Sequence, residues 1–189
     1  MSAASHQQIT TDGLEYALLS LLRREPLHAY EMYQRLRRGE LLGHIWQLKQ
    51  SHLYALLARL EDHGLIAGST ELQGARPPRR MLSLTDEGVA AYSAWVTSPV
   101  RHGRDFRLAF LAKLACAASE GSSTVAELIT RQRATCATWL TDPHARIAAI
   151  PNQQPYDRLV IEFRAGQITA ILTWLEHCEL ELLRDTPST

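Results

Sequence analysis

Four side chains that can hydrogen-bond to a nucleic-acid base or a phosphate cluster in one short stretch: Gln50, Ser51, His52 and Tyr54. Leucines at steps of three and four accompany them, namely Leu53, Leu56, Leu57 and Leu60. This spacing predicts a helix with one buried apolar side, with Ser51 as its N-cap and Gly64 at its end. A helix with a hydrogen-bonding end and an apolar back has the form that major-groove reading requires, and an ordinary surface helix is the alternative.

Basic residues gather a little further along the chain. Arg76, Arg79 and Arg80 surround two prolines, and no acidic residue occurs between Gly74 and Ser83. Residues 65–72 and 79–84 have the character of strands, and the Gly and Pro residues between them predict a turn. The resulting hairpin carries arginines at its tip, where phosphate contact is the expected use and a solvated charged turn is the alternative. Lys49 adds a further candidate for phosphate contact.

The elements that must position these residues follow from apolar periodicity and breakers. A first helix is predicted over 13–24, started by Asp12 and Glu15 at capping-box spacing, and a second over 28–38, ended by Gly39. The polar-ended helix and the hairpin follow, and Thr85 is predicted to cap a fourth helix. Three helices followed by a strand, a basic turn and a strand form a winged helix-turn-helix, which we place at 13–98. Residues 1–12 are predicted to be a flexible arm.

The remainder of the chain has only helical patterns. Helices are predicted over 106–118 and 124–140, the second started by a Thr124–Glu127 capping box, followed by a loop over 143–155 and a long helix over 156–184. A helix of that length is longer than one small domain needs, so its apolar stripe favours pairing with a second copy of the chain. A hydrophobic core within this region alone is the alternative. The predicted fold is therefore mainly α with a small β wing, and residues 104–185 form a helical dimerisation domain.

Composition narrows the functional classes. The 189 residues carry no formal net charge, which argues against nonspecific coating of nucleic acid but allows one basic face. No apolar run is long enough to span a membrane and no signal segment is present, so a cytoplasmic location is expected. Three widely spaced cysteines predict buried free thiols rather than a metal site or a disulfide framework. Common catalytic, nucleotide-binding and metal-binding motifs are absent, so we expect neither an enzyme nor a cofactor.

From Ala17 to Val96 the sequence resembles the PadR family of transcriptional regulators. Three segments carry the resemblance: Pro26–Glu31, the run from Leu53-Tyr54 through Arg59-Leu60-Glu61 to Gly64-Leu65-Ile66, and the wing with its sequel, Pro77–Arg80 and Leu84–Gly88. Trp46 also stands at the family's spacing. More weakly, Phe106 to Leu114 resembles the start of the virulence-activator-like helical domain of longer members. Ser51, His52 and Ala55 depart from the family's usual residues where bases are read, so the resemblance implies no operator sequence.

The resemblance implies a homodimer with interlocked C-terminal helices that binds a palindromic operator on double-stranded DNA, usually to repress. It also implies release by a small aromatic or hydrophobic effector. Candidate linings for an effector pocket are the four tryptophans, Trp46, Trp95, Trp139 and Trp174, although core packing is the simpler role for each. Two alternatives remain: a winged helix used for protein contact, and a regulator that senses redox state through a reactive thiol.

Overall fold

The computed structural model describes residues 15–73, 76–149 and 155–183, without the side chains of 71–78 and 141–149. The described residues divide into two compact units. The first runs up to Val96 and includes Arg107–Cys116, and the second holds Thr97–Phe106 and the residues from Ala117 onward. The predicted arm, 1–12, lies outside the described residues.

The first helical segment is shorter and less regular than predicted. An α-helix, α1, spans Tyr16–Leu19 and tightens into a 3₁₀ turn over Ser20–Leu22. The Ser20 hydroxyl donates to the carbonyl of Ala17 at 2.6 Å, a side-chain bond that competes with regular helix. Glu15 is the N-cap of α1 and makes no side-chain capping bond, and Asp12, its partner in the predicted capping box, lies outside the described residues.

The second helix, α2, spans Ala29–Arg37, close to the prediction. His28 is its N-cap, because its Nδ1 accepts the N–H of Tyr30 at 3.1 Å. Met32 and Leu36 are buried, and Gly39 follows the helix with φ +79°. Glycine adopts this left-handed conformation without steric strain, so it can end the helix here.

The polar-ended helix, α3, spans Gln50–Asp62, and all four of its predicted core leucines are buried. Lys49 is its N-cap, in extended conformation and without a side-chain capping bond, so the predicted Ser51 cap is wrong. Gly64, with φ +70°, ends the helix as predicted. The N–H groups of Gly64 and Leu65 donate to the carbonyls of Glu61 and Leu60, which is the Schellman arrangement of a helix C-terminus.

The sheet has one strand more than the predicted hairpin. Strands β2 (Ile66–Gln73) and β3 (Arg76–Leu84) pair antiparallel, and the two-residue strand β1 (Leu27–His28) pairs with β3 on its other side. The strand order is β1-β3-β2, which leaves β2 at an edge. A two-residue strand has no periodicity to detect in sequence, which explains why it was not predicted.

Helix α4 spans Asp86–Val96 and is capped by Thr85 as predicted, because the Thr85 hydroxyl accepts the N–H of Gly88 at 3.0 Å. The same hydroxyl donates to the Gly64 carbonyl at 2.6 Å, which joins the start of α4 to the end of α3. After a 3₁₀ turn over Gly103–Arg107, helix α5 spans Ala109–Glu120.

The second unit is built on two long helices, α6 (Ser122–Ala149) and α7 (Pro155–Leu182). Helix α6 begins two residues before Thr124, after Gly121 with φ +120°, so the predicted capping box there is wrong. It also continues through most of the predicted loop, because residues 144–149 include three alanines, the strongest helix former. The rest of the predicted loop, 150–154, lies outside the described residues.

One buried amide organises the second unit. The Gln132 side chain is fully buried, and its Oε1 accepts the N–H of Val100 at 2.7 Å while its Nε2 donates to the carbonyl of the same residue at 3.3 Å. This pair of bonds satisfies both main-chain polar groups of Val100, which belongs to no helix or strand. Arg133 joins α6 to α7 through Glu179 at 2.8 Å and Glu176 at 3.3 Å.

Candidate nucleic-acid interface

The N-terminal end of α3 presents the predicted polar residues to solvent. The side chains that share this exposed end are Gln50, Ser51, His52 and Tyr54, and Lys49 immediately precedes them in the exposed N-cap position. Leu53 lies among them and is fully buried, so the helix is fixed by its back while its first turn stays accessible. We name Lys49, Gln50, Ser51, His52 and Tyr54 the reading end. Its exposed side chains and first-turn N–H groups suit base edges and phosphates.

An ion pair fixes the middle of α3 to the first helical segment. Glu15 is 3% exposed, and its Oε2 accepts the Arg59 Nη2 at 2.5 Å. A buried carboxylate needs a partner of this kind, because loss of solvation is offset only by direct hydrogen bonds and charge. Arg59 therefore belongs to the scaffold of the reading helix, a role that helical periodicity alone does not indicate.

The wing, β2 with β3, places adjacent arginines on different faces. Side chains alternate along a strand, so Arg80 projects from the same face as the buried Leu82, whereas Arg79 projects from the opposite face. Both are exposed. Arg80 Nη2 donates to both carboxylate oxygens of Glu61, at 2.5 and 2.6 Å. The side chain of Arg76, the third predicted arginine, lies outside the described residues, and its main chain belongs to β3.

Two tryptophans predicted to line a pocket lie in the first unit. Trp46 is half-buried and its ring meets the His52 ring edge-on, at 6.5 Å between centroids. Trp95 is buried and lies against Tyr16 and Tyr92, at 6.3 and 6.2 Å between centroids. These contacts assign packing to both indoles, and the Trp46 contact also positions one side chain of the reading end.

The other two tryptophans lie in the second unit and are half-buried. Trp139 meets Phe106 edge-on at 6.5 Å between ring centroids, and Trp174 lies in α7. A pocket lined by the four residues stays a prediction.

Lys113 of α5 is a buried cation in the first unit. Its Nζ donates to the Trp95 carbonyl and lies 4.2 Å from the centroid of the Trp95 ring. Burial lowers its pKa to about 7 from 10.5, against a smaller opposing effect of Cys116. This lowering of the pKa depends on the groups packed around Lys113, which the sequence alone does not reveal.

The three cysteines are free and buried, as predicted. Burial raises the pKa of the Cys136 thiol, against a smaller lowering by its hydrogen bond with Gln132. Burial likewise raises the pKa of the Cys178 thiol. Since the thiolate is the reactive form, both shifts oppose the reactivity that the redox-sensing alternative needs.

Sequence reasoning assigned no role to Tyr30, an exposed aromatic residue of the helix-turn-helix. Tyr30 is 50% exposed in the first turn of α2, comparable with Tyr54 at 41% in α3. The available signal was an aromatic residue two positions after the N-cap of the second helix of a helix-turn-helix. Across the described ranges, no cluster of histidine, cysteine and acidic side chains is arranged to hold a metal ion. Within the same ranges, none of the helices has the length and apolar character that crossing a membrane requires.

Two family models match the chain. The model of the transcriptional regulator PadR-like family matches residues 18–94, and that of the virulence activator alpha C-terminal domain matches residues 106–183. The negative transcriptional regulator PadR of Bacillus subtilis is 36% identical over 89 residues, which are 47% of this chain and 46% of that protein. A probable transcriptional regulator of Mycobacterium tuberculosis is 29% identical over 95 residues, which are 49% of each chain. The chain thus spans about half the length of the curated relatives it matches.

Solved structures resemble the chain over more of its length than these two relatives do, at lower sequence identity. The crystal structure of Bacillus subtilis PadR in complex with operator DNA covers 92% of this chain and 99% of its own, at 24% identity and a TM-score of 0.45. That of smu.1604c from Streptococcus mutans covers 88% of this chain and 98% of its own, at 18% identity and a TM-score of 0.42.

Proposed function

Because the chain belongs to the PadR-like family of transcriptional regulators, we propose that it binds a specific operator sequence as a homodimer and represses transcription from it. The observation that carries the proposal is the reading end. An exposed row of hydrogen-bonding side chains lies at the end of a helix whose back is wholly buried. The name of the Bacillus relative, a negative transcriptional regulator, supports repression as the sign of regulation.

In this proposal the two α3 helices of a dimer enter successive major grooves on one face of the duplex, about 34 Å apart. Gln50, Ser51, His52 and Tyr54 read base edges or adjacent phosphates. Lys49, Arg76 and Arg79 hold phosphates, with the wing beside the minor groove. Arg80, the remaining arginine of the predicted set, is already bound by Glu61, so it is not required as a phosphate ligand.

The second unit supplies a surface for dimerisation. Tyr156, Leu159 and Phe163 are 76%, 63% and 66% exposed, and their spacing places them on one face of α7. Apolar residues contiguous along a helix face are typical of an interface rather than of a solvated surface. Ala165, Leu175 and Cys178 of the same helix are buried, so α7 has a packed face and an accessible one.

The test of dimerisation is the mass of the protein in solution. We expect light scattering after size exclusion to give a dimer, and Phe163→Asp to convert it to a monomer because a charge would be buried at the interface. Arg164→Ala is the matched control, since Arg164 is exposed on the next position of the helix. A wild-type monomer at micromolar concentration, or a dimer unaffected by Phe163→Asp, would reject this surface.

The test of DNA recognition is selection of bound duplexes from a random library by the purified protein. We expect an inverted repeat with half-sites one helical turn apart, because a two-fold dimer reads a two-fold site. Absence of enrichment, with binding lost at moderate salt, would favour the alternative use of the winged helix for protein contact.

The wing has its own test within this proposal. Neutralising one phosphate contact lowers the slope of log K against log salt by about 0.9. We therefore expect Arg79→Ala to weaken binding to all duplexes and to lower the slope by about that amount in each half-site. Arg104→Ala is a matched control, because Arg104 is an exposed arginine outside the wing. If the slope of Arg79→Ala equals that of the wild type, the wing does not hold phosphate.

We further propose that a small aromatic effector releases the operator by favouring one spacing of the two reading helices. The four tryptophans provide the readout. Planar phenolic acids, titrated into the protein, should quench indole fluorescence and lower operator affinity at the same concentration. Quenching without loss of operator binding, or no quenching, would contradict the effector.

A further inference from the structure

We propose that Arg80 is a positioning residue, which clamps the wing to the far end of the reading helix through Glu61 and does not bind phosphate. The inference rests on the proposed DNA-binding function and deepens it. It assigns to the second arginine of the Arg79-Arg80 pair a task different from that of the first. Its basis is a set of contacts between Glu61 on α3, Arg80 on β3 and Gly68 on β2.

The Glu61 carboxylate accepts hydrogen bonds from both strands of the wing. Both of its oxygens accept the Arg80 Nη2, at 2.5 and 2.6 Å, and Oε1 also accepts the N–H of Gly68 at 3.2 Å. A single carboxylate in the last turn of α3 therefore joins both strands of the wing. Charge-assisted bonds of this kind are shorter and more directional than neutral ones, so they fix an angle as well as a distance.

The Arg80 guanidinium occupies space that a side chain at residue 68 would fill. A Cβ on Gly68 would meet the Arg80 Nε at 2.7 Å and Nη2 at 2.9 Å. The guanidinium thus lies directly over a residue without a side chain, and any larger residue would displace it. Gly68 lies opposite Leu82 in the sheet and Thr70 opposite Arg80, so the arginine crosses diagonally over the strand to reach Glu61.

The wing is attached to α3 at two separate points, Thr85 and Arg80. The base of the wing is held by Thr85, whose hydroxyl and N–H bind the carbonyls of Gly64 and Leu65 at 2.6 and 3.2 Å. Arg80 precedes Thr85 by five residues along β3, a distance of about 17 Å at the rise of a strand. A hairpin held at its base and again at this distance keeps a defined direction relative to α3, and that direction decides whether tip and reading end meet the duplex together.

Alternation along β3 explains why Arg79 and Arg80 differ. Arg80 shares its face with the buried Leu82 and is directed toward the helices, whereas Arg79 projects from the other face. The Glu61 carboxylate, which would otherwise repel DNA from the end of α3, is neutralised by the same contact. The clamp consequently serves binding in two ways without touching the duplex.

The experiment compares Arg80→Ala, Glu61→Gln and the double variant with Arg79→Ala, on the selected operator and on an unrelated duplex. A clamp predicts that Arg80→Ala and Glu61→Gln each weaken operator binding about three- to tenfold, as for loss of a partly exposed ion pair. It predicts that the double variant is no weaker than either single one. Binding to the unrelated duplex and the salt slope should stay those of the wild type.

Glu61→Gln is the discriminating variant. Removing an acidic charge near DNA tightens binding if Arg80 holds phosphate, because the arginine is then released from its competitor. Tighter binding by Glu61→Gln, together with a lower salt slope in Arg80→Ala, would overturn the clamp. An additional readout needs no DNA: amide exchange of Gly68 should accelerate in both single variants, and unchanged exchange would also reject the clamp.

Failure of the proposed function is separable from failure of this inference. If the wild-type protein selects no operator, the DNA-binding proposal fails whatever the variants do. If the wild type binds its operator specifically, but Arg80→Ala lowers the salt slope and Glu61→Gln tightens binding, the clamp alone fails. Exchanging the charges, Glu61→Arg with Arg80→Glu, should restore at least part of the operator affinity if the pair acts as a clamp, and an affinity below that of both single charge reversals would contradict it.

Discussion

Lys113 should make the stability of this protein depend on pH in the alkaline range. Its ammonium group is buried against the ring and carbonyl of Trp95, and burial lowers its pKa to about 7. In the unfolded chain a lysine titrates near pH ~10.4. Between these values the unfolded state keeps a proton that the folded state has lost, so the free energy of unfolding rises with pH.

The size of this change in the free energy of unfolding follows from the folded and unfolded pKa values of Lys113. A pKa lowered from 10.5 to about 7 corresponds to about 5 kcal/mol at full effect. The carbonyl oxygen and the indole ring both stabilise the charged form, so they offset part of the cost of burial. We therefore expect roughly 2–4 kcal/mol to be gained between pH 7 and pH 10. Below pH 7 both states are protonated, and the destabilisation is present in full.

The assay is urea unfolding, followed by far-UV circular dichroism, of the wild type and Lys113→Met at several pH values from 6 to 10. The difference between the two curves isolates the lysine, because the cysteines and tyrosines titrate in both proteins. Lys49→Met is a matched control, since Lys49 is the other lysine of the chain and is exposed. Parallel pH dependences for wild type and Lys113→Met would refute the reasoning.

Three substitutions test other contacts by urea unfolding. Arg59→Ala should cost about 2 kcal/mol because it leaves the buried Glu15 carboxylate unpaired, and Glu15→Gln should recover part of that loss in the double variant. No recovery would mean that the two residues are not coupled. Gln132→Leu should cost about 1–3 kcal/mol, since it removes the hydrogen bonds of Val100, and a neutral result would contradict that role. Gly88→Ala should cost at least about 2 kcal/mol because its Cβ would collide with a main-chain carbonyl oxygen, and wild-type stability would show that the backbone yields.

Local signals in the sequence predicted most of the helices and the main hairpin. The leucine stripe of α3, the stop at Gly64 and the cap at Thr85 were all predicted, because each depends on residues within a few positions of one another. The end of α6 was not predicted, since an internal proline is normally read as a break while several alanines favour continuation. The strand β1 was missed because its existence depends on β3, more than fifty residues away.

For the candidate interface, the sequence by itself determined which residue types are available and which helix presents them. It could not separate Arg79 from Arg80, or show that Glu15 and Arg59 belong together. The paired groups are 19 residues apart for Arg80 and Glu61 and 44 apart for Arg59 and Glu15. The partner of a charge and the depth at which a lysine is buried depend on which elements pack together. Those properties were therefore decided only by the tertiary structure, because desolvation and ion pairing act between residues that are neighbours in space.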